Sequence, residues 1–354
     1  MPLVEALSLA AKDTTGVFTC MPIERRAPKA NDVLINITHC GICHSDLHQV
    51  RGEWPMPQPL PYVGEVVDVG ADVKKFKKGD KVGVGCMVDS CLDCTNCKAG
   101  VEQYCCGSGW TGTYNAVIKL GENIYGGYST AITVREEFVL RVPDNLPLVK
   151  AGPLLCAGIT VYSPLVNFGA KKGGKTFHTA IVGFGGLGHM AVKIAKAMGN
   201  TVTVISRGTK KTDAAKKCGA DNFVDSKNAD EFKKATGQFD LIINTIAANH
   251  PVRAYMSLLK FDGTMCMVGI PPDTFQMMAF DLIMGRKKLA GSLIGGIKET
   301  QEMLDFCSKH KITPDTELIA AKDVNKAYHE LSTGANDASR FVIDMATLTK
   351  ADSS

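Results

Sequence analysis

Thr179-Ala180-Ile181-Val182-Gly183-Phe184-Gly185-Gly186-Leu187-Gly188-His189-Met190-Ala191-Val192-Lys193 decides the fold of this chain. The first part is a short buried-strand run, Gly183 to Gly188 fit G-x-G-x-x-G, and Met190 to Lys193 continue as a helix. A glycine turn between strand and helix lets backbone approach a pyrophosphate and aims the helix N-terminus at it. Outward from this turn, Val202-Thr203-Val204-Ile205, Leu241-Ile242-Ile243 and Thr264-Met265-Cys266-Met267-Val268 read as further short strands. The pieces between them carry helix-forming Ala, Lys and Met. The class is α/β, a doubly wound parallel sheet with a dinucleotide site that includes Gly183, Phe184, Gly185, Gly186, Leu187 and Gly188.

The end of the next strand discriminates the dinucleotide. A site for NAD places Asp or Glu there to hold the ribose 2′-hydroxyl. This chain has Ser206-Arg207-Gly208-Thr209-Lys210-Lys211 instead. The hydroxyls and cations of Ser206, Arg207, Thr209, Lys210 and Lys211 suit a 2′-phosphate, so NADPH is the expected cofactor. A solvated helix start is the other reading of the lysines.

Upstream, as far as about Pro153, β-branched runs such as Val33-Leu34-Ile35-Asn36-Ile37 and Gly64-Glu65-Val66-Val67-Asp68-Val69-Gly70 alternate with Gly, Pro and Asp. They read as irregular β structure with long loops. The tail holds a helical stretch around Thr300 to His310 and a strand-like Arg340-Phe341-Val342-Ile343-Asp344. Its texture returns to that of the first half and predicts packing back onto it. At 354 residues the chain exceeds a single core. The expected domains are 1–156 with 297–354, and 157–296.

Composition narrows the function classes. Hydrophobic residues make up 45% and the formal net charge is +4, with charges of both signs throughout. No basic stretch is interleaved with aromatics, which argues against a nucleic-acid partner. The cluster Lys74-Lys75-Phe76-Lys77-Lys78 before Gly79-Asp80 reads as a solvated turn. No apolar run reaches the ~18 residues of a membrane span, and no leader pattern opens the sequence. A cytoplasmic protein without a membrane partner is the expectation.

Thirteen cysteines in a chain of this size point to metal rather than to a disulfide framework. Cys91, Cys94, Cys97 and Cys105 are spaced C-x2-C-x2-C-x7-C. That spacing wraps four thiolates tetrahedrally around zinc and leaves no open coordination position, so one structural Zn2+ per chain is expected. Cys86 and Cys106 lie off this pattern, and Cys218, Cys266 and Cys307 read as small buried apolar residues.

Cys40-Gly41-Ile42-Cys43-His44-Ser45-Asp46-Leu47-His48, the four-cysteine lobe, Pro153-Leu154-Leu155-Cys156-Ala157-Gly158-Ile159-Thr160-Val161-Tyr162, the glycine fingerprint and Gly291-Ser292-Leu293-Ile294-Gly295 together resemble the medium-chain, zinc-dependent alcohol dehydrogenases, and within them the plant cinnamyl alcohol dehydrogenase group. The resemblance implies a GroES-like catalytic domain beside the nucleotide domain. It implies catalytic zinc ligands at Cys43 and Cys156, a proton relay through Ser45 and His48, and cofactor contacts at Ser45, Thr160, Thr245, Gly269, Ser292, Leu293 and Ile294. It also implies a homodimer formed by pairing two edge strands, here Gly285 to Ile294.

One departure shapes the functional reading. The family's third zinc ligand comes from a Gly-His-Glu motif before the strand that here begins near Val63. This sequence reads Pro57-Gln58-Pro59-Leu60-Pro61-Tyr62-Val63-Gly64, and no histidine occurs between His48 and His178. The loop is shorter here than the family pattern; Glu65 lies past this gap, while His48 and His44 are the alternatives for rescue. A catalytic site needs three protein ligands and an open position, so the expectation is an empty catalytic zinc site with Cys43 and Cys156 as vestiges.

Without zinc to polarise a carbonyl, simple aldehyde reduction loses several kcal/mol of stabilisation. The expected substrates are already electrophilic, an iminium or a conjugated unsaturated iminium; with its lost motif the chain resembles the reductases of plant monoterpene indole alkaloid biosynthesis, and that resemblance implies such a substrate. Ser45, His48 and Tyr62 are the candidate catalytic residues. Tyr62 has packing as its other reading, and so do Trp54 and Met56, which otherwise line an apolar pocket. Two further readings stay open: a conventional zinc alcohol dehydrogenase with a rescue ligand, and a non-catalytic NADPH-binding protein.

Overall fold

The computed structural model describes residues 3–53, 62–117, 123–169, 177–333 and 340–349. The chain divides into two compact units, Met1–Cys156 with Gly295–Ser354, and Ala157–Ile294.

In the first unit, β1 (Val4–Ala11) and β2 (Phe18–Arg25) form an antiparallel pair. A larger sheet is built on β3 (Asp32–Gly41), which pairs antiparallel with β4 (Tyr62–Val69), and β4 in turn with β5 (Lys81–Val84). Val33, Ile35 and Ile37 are buried while Asn36 between them is exposed, the period-two pattern of a strand with one core face. Arg340–Asp344 pairs with the end of β3 at Cys40 and Gly41, and Thr316–Ala320 lies beyond it. The C-terminal segment therefore completes the sheet of the N-terminal half.

Helix α1 (His44–Val50) follows directly from β3. Cys43 is its N-cap, in extended backbone at φ −124° and ψ 155°, and its N–H donates to the Asp46 carboxylate at 2.7 Å. Such a cap satisfies one of the donors that a helix start leaves open. Helix Leu148–Pro153 passes into a π-helical turn, Leu154–Gly158, before helix Ile159–Asn167. π-turns inside helices recur at functional sites; this one carries Cys156. Leu148–Asn167 as a whole is long and apolar enough to cross a bilayer, but 83% of its apolar window is buried inside the protein.

The second unit is a six-stranded parallel sheet in the spatial order Asn222–Asp225, Thr201–Ser206, His178–Val182, Phe239–Asn244, Leu259–Met267, Lys288–Gly291. In chain order this is 3-2-1-4-5-6, the doubly wound nucleotide-binding arrangement. Ala180, Val182, Ile205, Ile242 and Met265 are wholly buried, as expected of parallel strands covered on both faces. The strand Asn222–Asp225 has no counterpart in the sequence reading. It sits at the sheet edge with half-exposed side chains, so it lacks the apolar run that marks its neighbours.

Candidate active-site residues

In the nucleotide unit, strand His178–Val182 ends at the fingerprint and helix Gly186–Ala197 begins from the N-cap Gly185. Gly183 has φ +90°, and a Cβ there would meet Thr245 Oγ1 at 2.7 Å. At Gly188 a Cβ would lie 2.2 Å from the Gly183 carbonyl oxygen, whereas Gly185 faces open space. Glycine at Gly183 and Gly188 is thus a packing necessity, and the open side at Gly185 leaves room for a phosphate group. The Thr245 hydroxyl donates to the Val182 carbonyl at 2.9 Å, fixing the neighbouring strand end to the same turn. Gly269 is as crowded, since a Cβ would meet the Ile246 carbonyl at 2.3 Å.

Ser206 closes strand Thr201–Ser206, and Arg207, Thr209 and Lys210 beyond it are exposed. The Lys211 ammonium donates to the Phe184 carbonyl at 3.1 Å, which brings the basic turn to the glycine turn. The nearest acid on the adjoining strand, Asp225, accepts the Gly208 N–H at 2.7 Å and the Lys227 N–H at 2.9 Å. These backbone donors, first Lys227 and then Gly208, hold its pKa below the usual range. Its charge is used in shaping the turn, and the side chains that project are cationic and hydroxylic. Elsewhere in this unit Thr160 is buried, Ser292 N–H donates to the Met267 carbonyl at 3.2 Å, and Ile294 takes φ +40°. Such a backbone in a residue other than glycine is strained and concentrates at functional positions.

In the first unit, two cysteine clusters differ in kind. Cys91, Cys94, Cys97 and Cys105 hold their sulfur atoms within 4.8 Å of one another, with Cys91–Cys105 at 3.4 Å and Cys94–Cys105 at 3.9 Å. Cys94 caps the short helix Thr95–Lys98, and the Cys97 backbone N–H, above all, draws the Cys94 thiol down to about 5. Burial has the opposite effect on Cys97, pushed up to about 12, and Ser90 Oγ lies 3.4 Å from its sulfur. A soft, tetrahedral, four-sulfur set fits zinc. Among the described residues it is the one group of three or more His, Cys, Asp or Glu side chains close enough to hold a metal ion.

Cys43 and Cys156 are the second cluster, with sulfur atoms 3.6 Å apart and both residues buried. Ser45 Oγ lies 3.6 Å from Cys43 Sγ. Cys86, set apart from the lobe by its spacing, is hydrogen-bonded to the thiol of Cys156 and points its sulfur at the Leu155 carbonyl, 3.5 Å away. The Arg340 guanidinium is buried beside the pair and hydrogen-bonds to Cys43. Contact with Cys156, then burial, pushes the Cys43 thiol up. For Cys156 the Cys43 contact acts downward, but the Cys86 contact and burial outweigh it and the thiol is also raised.

Neither imidazole of the rescue candidates completes this set. His44 is exposed, and His48 Nδ1 is 2.5 Å from Glu53 Oε2, forming a dyad that reaches the surface. Glu65 is exposed on β4. The stretch 54–61, with Trp54, Met56 and the proline run, lies outside the described residues; its sequence contains no His, Cys, Asp or Glu. Among the described residues Cys43 and Cys156 have no third ligand beside them, and two thiols alone do not fit a catalytic zinc.

Tyr62 requires a correction. Its side chain is wholly buried in β4, the ring lies against Gly127, and Arg25 is its charged neighbour. Burial pushes the hydroxyl well above its ordinary value, so Tyr62 packs the core and does not serve as a proton donor. Behind α1 a buried polar chain supports the site: the Tyr128 hydroxyl donates to Asp46 Oδ2 at 3.2 Å and lies 3.0 Å from the Tyr328 hydroxyl. Glu53, Cys86, Arg340 and Asp46 are absent from the sequence-based site. Only Glu53 had a local signal, a carboxylate one short turn beyond a histidine.

The profile for the alcohol dehydrogenase GroES-like domain matches residues 29–144, and that for zinc-binding dehydrogenase matches residues 186–309. NADP-dependent alcohol dehydrogenase C 1 of Mycolicibacterium smegmatis is 49% identical over 346 residues, covering 96% of this chain and 97% of that one. 8-Hydroxygeraniol dehydrogenase of Catharanthus roseus is 47% identical over 353 residues, covering 98% and 97%. Among solved structures, a cinnamyl alcohol dehydrogenase of Sorghum bicolor superposes with a TM-score of 0.92 at 42% identity, covering 98% of this chain and 99% of that one. Likeness of this degree along nearly the whole of each chain shows that the protein is an oxidoreductase of the zinc-type medium-chain alcohol dehydrogenase family, with plant cinnamyl alcohol dehydrogenases among its relatives.

Proposed function

We propose that the chain is an NADPH-dependent reductase that works without a catalytic zinc. It delivers hydride to an iminium or an α,β-unsaturated iminium of a plant monoterpene indole alkaloid intermediate. Precondylocarpine acetate is the proposed type of substrate, because the sequence resembles dihydroprecondylocarpine acetate synthase. The observation that carries the reading is the incomplete ligand set: Cys43 and Cys156 stand 3.6 Å apart, and neither the described residues nor the sequence of 54–61 supplies a third ligand. The cationic turn Arg207 to Lys211, and relatives named for NADP, support NADPH.

In the conjugated case hydride adds to the β-carbon, the C=C electrons shift, and the positive nitrogen takes an electron pair as the product enamine. No alkoxide forms, so no metal is needed to stabilise one. Ser45, with His48 and Glu53 leading outward, is the route for a proton in the later protonation of the enamine. The protein is further proposed to be a cytosolic homodimer. Strand Lys288–Gly291 is one of the two edge strands of the six-stranded sheet, and Phe280, Ile283 and Met284 just before it are exposed. A monomer in light scattering would refute the dimer.

The names of the relatives favour a second reading, a conventional zinc alcohol dehydrogenase. Zinc analysis of gently purified protein separates the two. About one zinc per chain, the lobe's own, supports the metal-free reductase, and a second equivalent supports the conventional enzyme. Stereospecific deuterium transfer from labelled NADPH to an iminium tests catalysis directly, since a non-catalytic binding protein gives none.

A further inference from the structure

We infer that Cys43 and Cys156 form a reversible disulfide on exposure to a peroxide, and that this bond switches the enzyme off by displacing α1. The inference rests on the reading of the pair as metal-free, since a bound metal would occupy both sulfurs. The two sulfur atoms are 3.6 Å apart, and their residues are 113 positions apart in sequence. Closing to a disulfide of about 2.05 Å takes a movement of roughly 1.5 Å. Cys43 and Cys156 are buried, 7% and 8% exposed, so the reagents that reach the pair are a small oxidant and a small dithiol.

The two ends of the bond explain the consequence. Cys43 is the N-cap of α1, which carries Ser45 and His48. Cys156 lies in the π-turn Leu154–Gly158, whose wider backbone ring is less regular than the helices on either side. Drawing the cap toward the turn moves Ser45, whose hydroxyl is 3.6 Å from Cys43 Sγ. A misplacement of about 1 Å at a reacting site can cost about 100-fold in rate.

The chemistry balances. One sulfur, as the thiolate, attacks hydrogen peroxide, breaking the O–O bond to give a sulfenic acid and, with the released proton, one water; the neighbouring thiols together with burial raise both cysteines and make this step slow, so peroxide is used in excess. The second thiol then displaces the hydroxyl as another water, so two thiols and one peroxide give one disulfide and two waters. A dithiol reductant reverses the bond by exchange. Cys86, in contact with Cys156, is the competing partner.

The test treats the reduced protein, its zinc content already measured, with hydrogen peroxide, alkylates the remaining thiols and maps the peptides by mass spectrometry. The expected result at about one zinc per chain is a Cys43–Cys156 crosslinked peptide. NADPH-dependent reductase activity should fall in parallel and return with dithiothreitol, and the crosslink should persist in Cys86→Ser and vanish in Cys156→Ser. One zinc with no such crosslink, or with a Cys86–Cys156 crosslink instead, overturns this inference and leaves the metal-free reading standing. Two zincs with protected thiols overturn both. Mapping the unsubstituted protein decides the matter even if a variant fails to fold.

Discussion

The two cysteine clusters of the first unit share a chemistry and differ in how they are assembled. Cys91, Cys94, Cys97 and Cys105 come from one short segment, and backbone N–H groups of that segment already point at the sulfurs. Cys43 and Cys156 come from opposite ends of the unit's N-terminal portion and meet through the sheet and a helix. A local set is completed by its own loop. A non-local set depends on a third segment, and on the proposed reading that segment, 54–61, offers no His, Cys, Asp or Glu to complete it. Losing a ligand this way does not require losing the fold, because β4 resumes its pairing with β3 at Tyr62.

The sharpest way to break the comparison is to remove one sulfur from each cluster. Cys97→Ser should abolish zinc binding and unfold the lobe, since structural zinc sites carry apparent free energies of about 10–16 kcal/mol. Cys156→Ser should leave the zinc content unchanged. Elemental analysis and thermal melting of the two variants check this, and zinc lost from Cys156→Ser would show that the second cluster holds metal after all.

The next test adds the ligand that, on the proposed reading, the second cluster lacks. Inserting the family's Gly-His-Glu triplet ahead of Tyr62 should add a second zinc equivalent and raise aldehyde reduction by roughly 100-fold, a barrier change of about 2.7 kcal/mol. Iminium reduction should fall or stay level, because a cationic substrate gains nothing from a second cation beside it. A large rise in both activities would contradict the proposed division of substrates.

Legibility in the sequence follows the same local and non-local divide. The fingerprint from Gly183 to Gly188 and the four-cysteine spacing are local, and both were readable, as were the strands at His178–Val182, Thr201–Ser206 and Phe239–Asn244, because buried parallel strands are continuous apolar runs. The edge strand Asn222–Asp225 was not, having no such run. Cys86 was read by its distance from the lobe along the chain, but it packs against Cys156 through the turn at Leu155. Arg340 was visible only as the first residue of a strand, and nothing local says that this strand starts beside Cys43. Tyr62 was proposed from its place in a shortened loop, while the alternation along β4 turns it into the core.

The smallest effect concerns what holds Cys43 in register at the start of α1. Asp46 accepts from the Cys43 N–H at 2.7 Å and from the Tyr128 hydroxyl at 3.2 Å, and Tyr128 also meets Tyr328. All three side chains are buried, and burial is the main force raising the pKa of Asp46. Tyr128→Phe removes one hydroxyl from this chain without changing the ring that packs on Phe18. The expected loss is about 1–2 kcal/mol of stability, the cost of leaving a buried partner with one bond fewer. Zinc content should stay the same, because the lobe draws on none of these groups. Reductase activity should fall more than the fraction unfolded accounts for, since Asp46 sets the cap of the helix that carries Ser45 and His48. If denaturant unfolding shows no change while activity drops, Tyr128 acts through the proton route rather than through the cap. If stability drops and activity per folded molecule does not, the cap position is held by the Cys43 to Asp46 bond alone.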